Sequence, residues 1–419
     1  MEAFSVYIHI PYCLSKCAYC DFNSYAVASI PEKDYVAALL AEFDYRAGQP
    51  EWRDRSVQTI YFGGGTPSLF SPASIGRVIS TICRRVPVHD AVEITLEGNP
   101  CSLSAEKLEG YVDAGVNRIS IGAQSHSQTT LSVLGRMHTP AQVDAAYAAA
   151  RNAGCNNISL DLMYGVPGQT LIALEEDLLA LVNLEPEHIS AYGLTVEKGT
   201  PFYAACKKGK FVLPEEDLLI EMMKTVESIL AVHGLERYEI SNYAKPHRAA
   251  RHNLAYWNRC DYLGLGAGAH SFSKWVGTTG FGERWSNYAL PGKYMQQAAS
   301  KGQAESWRET LSAAGAIFEF FFLGLRKKIG VSLTEFEEIF QVTVEKVFPA
   351  LLEVLITEGL LLREGGRLAL TDRGLLVADS VFENFAAPEV NLDKIVKVRP
   401  AAPKISVLKQ QFERAGNDF

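Results

Sequence analysis

The chain has 419 residues, 47% hydrophobic and 21% charged, with 33 Gly, 18 Pro and 8 Cys, a composition that excludes intrinsic disorder. Its formal charge of -8, from 48 Asp+Glu against 40 Lys+Arg, excludes a globally basic nucleic-acid binder. No charge-free apolar stretch reaches the roughly 18 residues of a membrane span, and the scattered cysteines make no disulfide framework, so a soluble protein of a reducing compartment, the cytoplasm, is expected.

The opening Met1-Glu-Ala-Phe-Ser-Val-Tyr-Ile-His-Ile reads as a strand and not as a signal peptide. Short β-branched runs predict strands at Ser5–Ile10, Gln58–Phe62, Val92–Leu96, Arg118–Gly122, Ile158–Met163 and His188–Leu194. Between them, amphipathic runs predict helices at Glu32–Arg46, Pro72–Arg85, Ala105–Ala114, Pro140–Ala153 and Leu171–Asn183. Such alternation means α/β, with parallel strands and crossover helices. Periodicity leaves open whether six strands curl into a partial barrel or lie as a doubly wound sheet. Polar and Gly-rich clusters follow the strands at their C-terminal ends, where α/β proteins place their sites, so one shared cleft is expected.

Beyond Tyr203 the pattern is less regular, with a helix at Glu215–Val232 and then a segment dense in aromatics, His and Gly (Tyr238–Tyr294). Helices at Ala313–Lys328, Leu333–Phe340 and Val344–Glu358 precede a hairpin around Glu364-Gly365-Gly366, which reads as an α+β, winged-helix-like unit. Only Arg326-Lys327-Lys328 offers basic character there, so no nucleic-acid partner is expected. The division read from the chain is 1–200, 201–309, 310–385 and a loosely ordered, mildly basic tail at 386–419.

Chemistry starts at Cys13, Cys17 and Cys20, a C-x3-C-x2-C loop directly after the first strand. Three thiolates converge on one centre only if the chain wraps around it, and soft sulfur selects zinc or iron–sulfur. Structural zinc wants a fourth protein ligand that this loop lacks. A [4Fe–4S] cube on three cysteines leaves one iron for an exogenous ligand. Three buried thiols without metal is the remaining alternative.

The run Tyr7-Ile-His-Ile-Pro-Tyr-Cys13-Leu-Ser-Lys-Cys17-Ala-Tyr-Cys20 resembles the cluster loop of radical S-adenosylmethionine (SAM) proteins. It is most similar to the branch holding oxygen-independent coproporphyrinogen dehydrogenase and the HemW heme chaperones, over about residues 4 to 385. That resemblance implies a partial (β/α)6 barrel, a [4Fe–4S] cluster on Cys13, Cys17 and Cys20, and SAM on its open iron. Gly63-Gly-Gly-Thr-Pro67 is similar to the branch's own motif, which implies that Gly64, Gly65 and Thr66 contact SAM. Glu97, Gln124, Arg136 and Asp161, together with Tyr7 and Tyr19, match further SAM-contacting positions. Thr195 and His270 fall near others but align less well and are left out. One or two SAM molecules are both compatible with the sequence.

Two departures separate this chain from the dehydrogenase. Phe22 stands where that enzyme carries a fourth cysteine, and the sequence starts six residues before Tyr7, without the longer leading segment. His252-Asn253-Leu254-Ala255-Tyr256-Trp257 resembles the H-N-x-x-Y-W motif associated with heme in the chaperones. Imidazole ligates heme iron and aromatic rings pack on a porphyrin face, so His252, Tyr256 and Trp257 are the expected heme contacts. Tyr256, Cys260 and His270 are alternative ligands. Arg248, Arg251 and Arg259 suit propionates. The alternative for His252 is a satisfied core histidine. The resemblance thus implies a heme chaperone with an apoprotein acceptor, possibly a membrane cytochrome, and a reductant for the cluster. The second reading is a radical SAM oxidative decarboxylase of a porphyrinogen.

Overall fold

The computed structural model describes residues 3–274 and 281–388, together with Val390, Leu392 and Val396. Most of the expected tail therefore lies outside the described residues. Six strands fall where the β-branched runs predict them: β1 (Ala3–Ile10), β2 (Ser56–Gly64), β3 (Val88–Gly98), β4 (Arg118–Gln124), β5 (Ile158–Tyr164) and β6 (His188–Gly193). They pair in chain order and in parallel, with Val6 opposite Ile60, Leu96 opposite Ile119 and Asp161 opposite Ser190. The sheet then grows at both ends. β7 (Glu236–Arg237) and β8 (Asn242–Ala244) extend the β6 edge, while β9 (Tyr262–Leu265) joins β1 in parallel. Antiparallel β10 (His270–Ser273), β11 (Glu283–Asn287) and β12 (Glu305–Thr310) follow outward from β9. Twelve strands form one sheet whose ends stay apart, a partial barrel. The sequence reading missed the antiparallel half because its strands carry few apolar alternations.

The crossover helices form for local reasons. Pro72–Arg85 starts at Ser71, whose Oγ accepts from Ser74 N, with Pro72 pre-set at the first position. Ile75, Val78, Ile79 and Ile82 then repeat at helical spacing and are buried. Pro140–Asn152 opens on a capping box between Thr139 and Gln142. Each fully buried Ile or Phe contributes about 1.5–3 kcal/mol to this packing. One core runs through β1 to β6 and their helices, while a second forms around Phe320, Phe321, Phe336, Phe340 and Phe348.

That second core belongs to the C-terminal unit, where Ala313–Gly324 and Leu333–Phe340 pack beside three short strands, Val331–Ser332, Leu361–Glu364 and Arg367–Leu370. Two expectations are corrected here. The helix from Ala313 ends at Gly324 and not at Lys328, and the segment expected as one helix over 344–358 is two, Val344–Val347 and Leu351–Thr357. Pro349 lies in the break, since it has no N–H to give and its ring restricts Phe348.

Candidate functional site

The cysteine loop leaves β1 and folds back on itself. Tyr12–Cys13 pairs in parallel with Tyr25–Ala26. His9 pins the return. Its Nε2 lies 2.8 Å from Asn23 O, so that nitrogen carries the proton, and Nδ1 accepts from Tyr7 Oη at 3.0 Å. Asn23 Nδ2 in turn donates to Ala267 O at 2.9 Å. The loop is thereby tied to the turn after β9.

All three cysteines line one cavity of about 370 Å³ at the C-terminal ends of the parallel strands. Tyr19, Gly64, Gly65, Thr66, Glu97, Gln124, Arg136 and Asp161 line the same cavity. Tyr7 does not; it packs below, with its ring 6.1 Å from Tyr61 and its hydroxyl on His9. Asn99, Ser120, Met163, Tyr192 and Glu197 also line the space and were missed, as was Thr195, which weak alignment had set aside. Position at a strand end was the available signal for Asn99 and Tyr192. Ser120 and Met163 are inward-facing β residues, and nothing local marks them.

Each glycine of the triple has a reason. A Cβ on Gly63 would meet Tyr61 and Tyr7 at 2.9 and 3.0 Å, one on Gly64 the His9 ring at 2.6 Å, and one on Gly65 the Tyr12 carbonyl at 2.7 Å. Gly64 also has φ +116, which side chains rarely adopt. The turn therefore lies bare against the cavity. Gln124 reaches it through a slip in the β4–β5 register and takes φ +65.

Polarity is arranged around the sulfurs. Thr66 Oγ1 lies 3.5 Å from Cys13 Sγ, and Arg136 Nη1 lies 3.3 Å from Cys17 Sγ. Arg136 Nη2 donates to Asn99 Oδ1 at 2.5 Å and to Gly122 O at 2.8 Å. Glu97 accepts from Tyr61 Oη at 2.6 Å and from Gly64 N at 3.2 Å, and burial pushes its carboxyl up to about 7. Burial also raises Asp161, which accepts from Ser120 Oγ at 3.2 Å. Among the described residues no three His, Cys, Asp or Glu side chains stand as a group able to hold a single ion. All three thiols border the same cavity, a donor set whose soft sulfur suits an iron–sulfur centre in chemistry.

The His252 segment lies elsewhere. It forms a short helix, Arg251–Trp257, at the N-terminal end of the barrel strands. His252 is fully buried, with Nδ1 2.7 Å from Thr59 Oγ1 and Nε2 3.0 Å from Tyr256 Oη. Its ring stacks on Tyr61 at 4.9 Å, and Glu93 accepts from the backbone N–H groups of Arg251 and His252, each at 3.0 Å. Burial drops the His252 pKa to about 3, with the Arg118 charge adding to it, so the ring is neutral. Trp257 packs under the Arg326 guanidinium, 4.8 Å from the ring centroid. None of His252, Tyr256 or Trp257 borders the cysteine cavity. Arg259 faces the C-terminal unit, 3.5 Å from Glu319, and His270 and Cys260 lie outside the cavity lining as well.

A parallel partial barrel with a three-cysteine loop and a bare glycine turn at its C-terminal edge is the architecture of a radical SAM protein, and the Radical SAM superfamily model matches residues 7–181. The HemN C-terminal domain model matches residues 311–377. The fold is similar to that of coproporphyrinogen III oxidase (HemN) from Escherichia coli, at TM-score 0.78 and 22% identity, covering 92% of this chain and 90% of that one. In sequence the chain is 39% identical over 385 residues to heme chaperone HemW of Bacillus subtilis (strain 168), covering 91% of this chain and 98% of the relative. It is 36% identical over 384 residues to heme chaperone HemW of Escherichia coli (strain K12), covering 91% and 98%. It is also 33% identical over 403 residues to radical S-adenosyl methionine domain-containing protein 1, mitochondrial, of Mus musculus, covering 95% and 90%. The chain belongs to the HemW family. Membership in the radical SAM superfamily implies a [4Fe–4S] cluster and SAM, and the donor set described above fits both.

Proposed function

We propose that this protein is a heme chaperone, which binds heme and passes it to an apoprotein acceptor, on a scaffold that also carries a [4Fe–4S] cluster and SAM. The observation that carries this reading is likeness along nine-tenths of the chain to relatives named heme chaperone HemW in several bacteria. Residues 1–200 would hold the cluster and SAM sites, 201–309 the heme motif, and 310–385 the C-terminal unit.

Cys13, Cys17 and Cys20 would hold the cluster, which when bound supplies the electron that reductive SAM cleavage needs. Gly64, Gly65 and Thr66 would give SAM a surface free of side chains. Glu97, Gln124, Arg136 and Asp161 would supply polar partners, with Tyr19 as an aromatic wall. Tyr7, absent from the cavity lining, would act from below by fixing His9.

Heme would sit at the end of the barrel that carries His252, Tyr256 and Trp257. His252 has both ring nitrogens engaged, so ligating iron would require one of them to leave its partner, Nδ1 from Thr59 or Nε2 from Tyr256. No helix of the described residues is long and apolar enough to cross a membrane; residence in the cytoplasm, with contact at a membrane only through an acceptor cytochrome, fits this reading.

The decarboxylase alternative is tested directly. Anaerobically reconstituted, reduced protein is incubated with SAM and coproporphyrinogen III, and protoporphyrinogen is sought. No product, with hemin binding seen by absorbance titration, is the expected result. Sustained turnover would make this chain an oxidative decarboxylase.

A further inference from the structure

Two neighbouring strands run from the motif helix, Arg251–Trp257, toward the cysteine cavity with polar side chains on one face. Thr59 and Tyr61 share that face on β2, and Glu93, Thr95 and Glu97 share it on β3, because side chains alternate along a strand. In the ladder Thr59 lies opposite Glu93, and Tyr61 opposite Thr95. At one end Thr59 Oγ1 lies 2.7 Å from His252 Nδ1, while Glu93 accepts from the backbone N–H groups of Arg251 and His252. At the other end Glu97 and its ladder partner Ser120 both line the cysteine cavity. Glu93 and Glu97 are about 13 Å apart along the strand, at roughly 3.3 Å per residue.

Tyr61 spans the space between the two ends. Its ring stacks on the His252 imidazole, with centroids 4.9 Å apart and planes at 26°, and its Oη donates to Glu97 Oε1 at 2.6 Å. One side chain thus touches both the histidine of the motif and a carboxylate of the cavity. Tyr7 flanks the same imidazole at 6.2 Å, but its hydroxyl is turned to His9. Alongside, Thr95 Oγ1 and Arg118 Nε, from ladder partners on β3 and β4, are buried without a hydrogen-bond partner among the described residues. A buried polar group left unpaired costs about 1–3 kcal/mol, so the interior between the two ends retains room to re-pair.

We propose that Tyr61 is a positioning residue that couples the cysteine cavity to the motif helix, so that a cationic ligand beside Glu97 tightens the helix through the stacked ring. This goes beyond the reading that SAM occupies the cavity and rests on it. SAM is cationic at its sulfonium, and positive charge in a buried site favours the ionised carboxylate. The bond from Tyr61 Oη is then charge-assisted, roughly twice as strong as a neutral one, and the ring is held against His252. With the cavity empty, Tyr61 is held less firmly, and the first turn of the helix depends on Thr59 and Glu93. Coupling is reciprocal: a ligand that draws His252 off Tyr61 weakens SAM binding by the same factor.

Amide hydrogen exchange of the anaerobically reconstituted full chain, read by mass spectrometry over residues 251–257 with and without saturating SAM, tests the coupling. SAM should slow exchange there by roughly fivefold, the low end of couplings between sites. Tyr61→Phe keeps the ring and loses the hydroxyl, so it should reduce the slowing to below about twofold at equal SAM occupancy, which a calorimetric titration verifies. Thr59→Val loosens the anchor without touching Glu97; it should raise exchange in both states and keep their ratio. Full slowing in Tyr61→Phe overturns the proposal, as does loss of the ratio in Thr59→Val or equal slowing over the outer helix Pro72–Arg85. Wild-type protein that binds SAM by calorimetry yet shows no slowing overturns it too. If the wild type takes up no SAM at all, the reading of the cavity fails, and the coupling with it.

Discussion

Arg136 and Cys17, 119 residues apart in the chain, meet with Nη1 3.3 Å from Sγ, and the guanidinium is held in place by Asn99 and the Gly122 carbonyl. A charged donor beside a cluster sulfur stabilises the more negative, reduced state. Arg136→Ala in reconstituted protein should therefore lower the cluster midpoint by several tens of millivolts, on the scale of 59 mV per tenfold for one electron. Anaerobic redox titration followed by EPR measures it. An unchanged midpoint would mean that the Arg136 guanidinium does not act on the cluster through Cys17.

Glu97 provides a pH test in the cofactor-free protein. Its folded pKa is raised by burial to about 7 from the usual 4.5, so the folded state binds the proton more tightly than the unfolded chain. The stability this adds is present below about pH 4.5 and is lost as pH rises through about 7, a difference on the order of 3 kcal/mol. Glu42, Asp161 and Glu239 are raised by burial as well, so the wild-type slope is shared. Urea midpoints of wild type and Glu97→Gln across pH 4.5 to 7 isolate the Glu97 share. Parallel curves would contradict the assignment.

Cys13→Ala, Cys17→Ala and Cys20→Ala should each abolish the absorbance near 400 nm, roughly where thiolate-ligated iron–sulfur clusters absorb. Cys83→Ala and Cys101→Ala, exposed thiols outside that cavity, should leave it intact. Iron and acid-labile sulfide analysis gives the same comparison without optics.

His252→Ala removes two buried hydrogen bonds and a ring stacked on Tyr61. A loss of about 2–4 kcal/mol is expected from the cavity and the orphaned Thr59 and Tyr256 hydroxyls. Chemical denaturation measures it, and hemin affinity should fall in the same variant while the cluster band stays. A loss below 0.5 kcal/mol, approximately the scale of a surface substitution, would mean that the helix is not anchored as described.

Phe321 is fully buried and stacks on Phe385 at 4.1 Å between centroids. Phe321→Ala should cost about 3–5 kcal/mol within the C-terminal unit. Limited proteolysis should then cut that unit first and leave the barrel core protected.

Local physics made much of this molecule readable. Pro72–Arg85 matched to the residue because Ser71, Pro72 and the Ile75–Ile82 spacing all act within a few turns. The cysteine loop, the glycine turn and the polar strand ends were readable because parallel strands bring their C-terminal ends to one edge. Tyr7 showed the limit: the family likeness put it among the SAM-contacting positions, but not that His9 and Tyr61 would hold it beneath the cavity.

The amino-acid order by itself determined the six parallel strands from β1 to β6, the crossover helices, the cysteine triad and the family to which they belong. Only the tertiary structure decided that His252 lies buried at the far end of the barrel from Cys13, with Thr59, Tyr61 and Glu93 around it. Periodicity, caps and spacing act between near neighbours in the chain. The packing that seats the motif helix joins residues some 160 to 190 positions apart, and no local pattern encodes such a meeting.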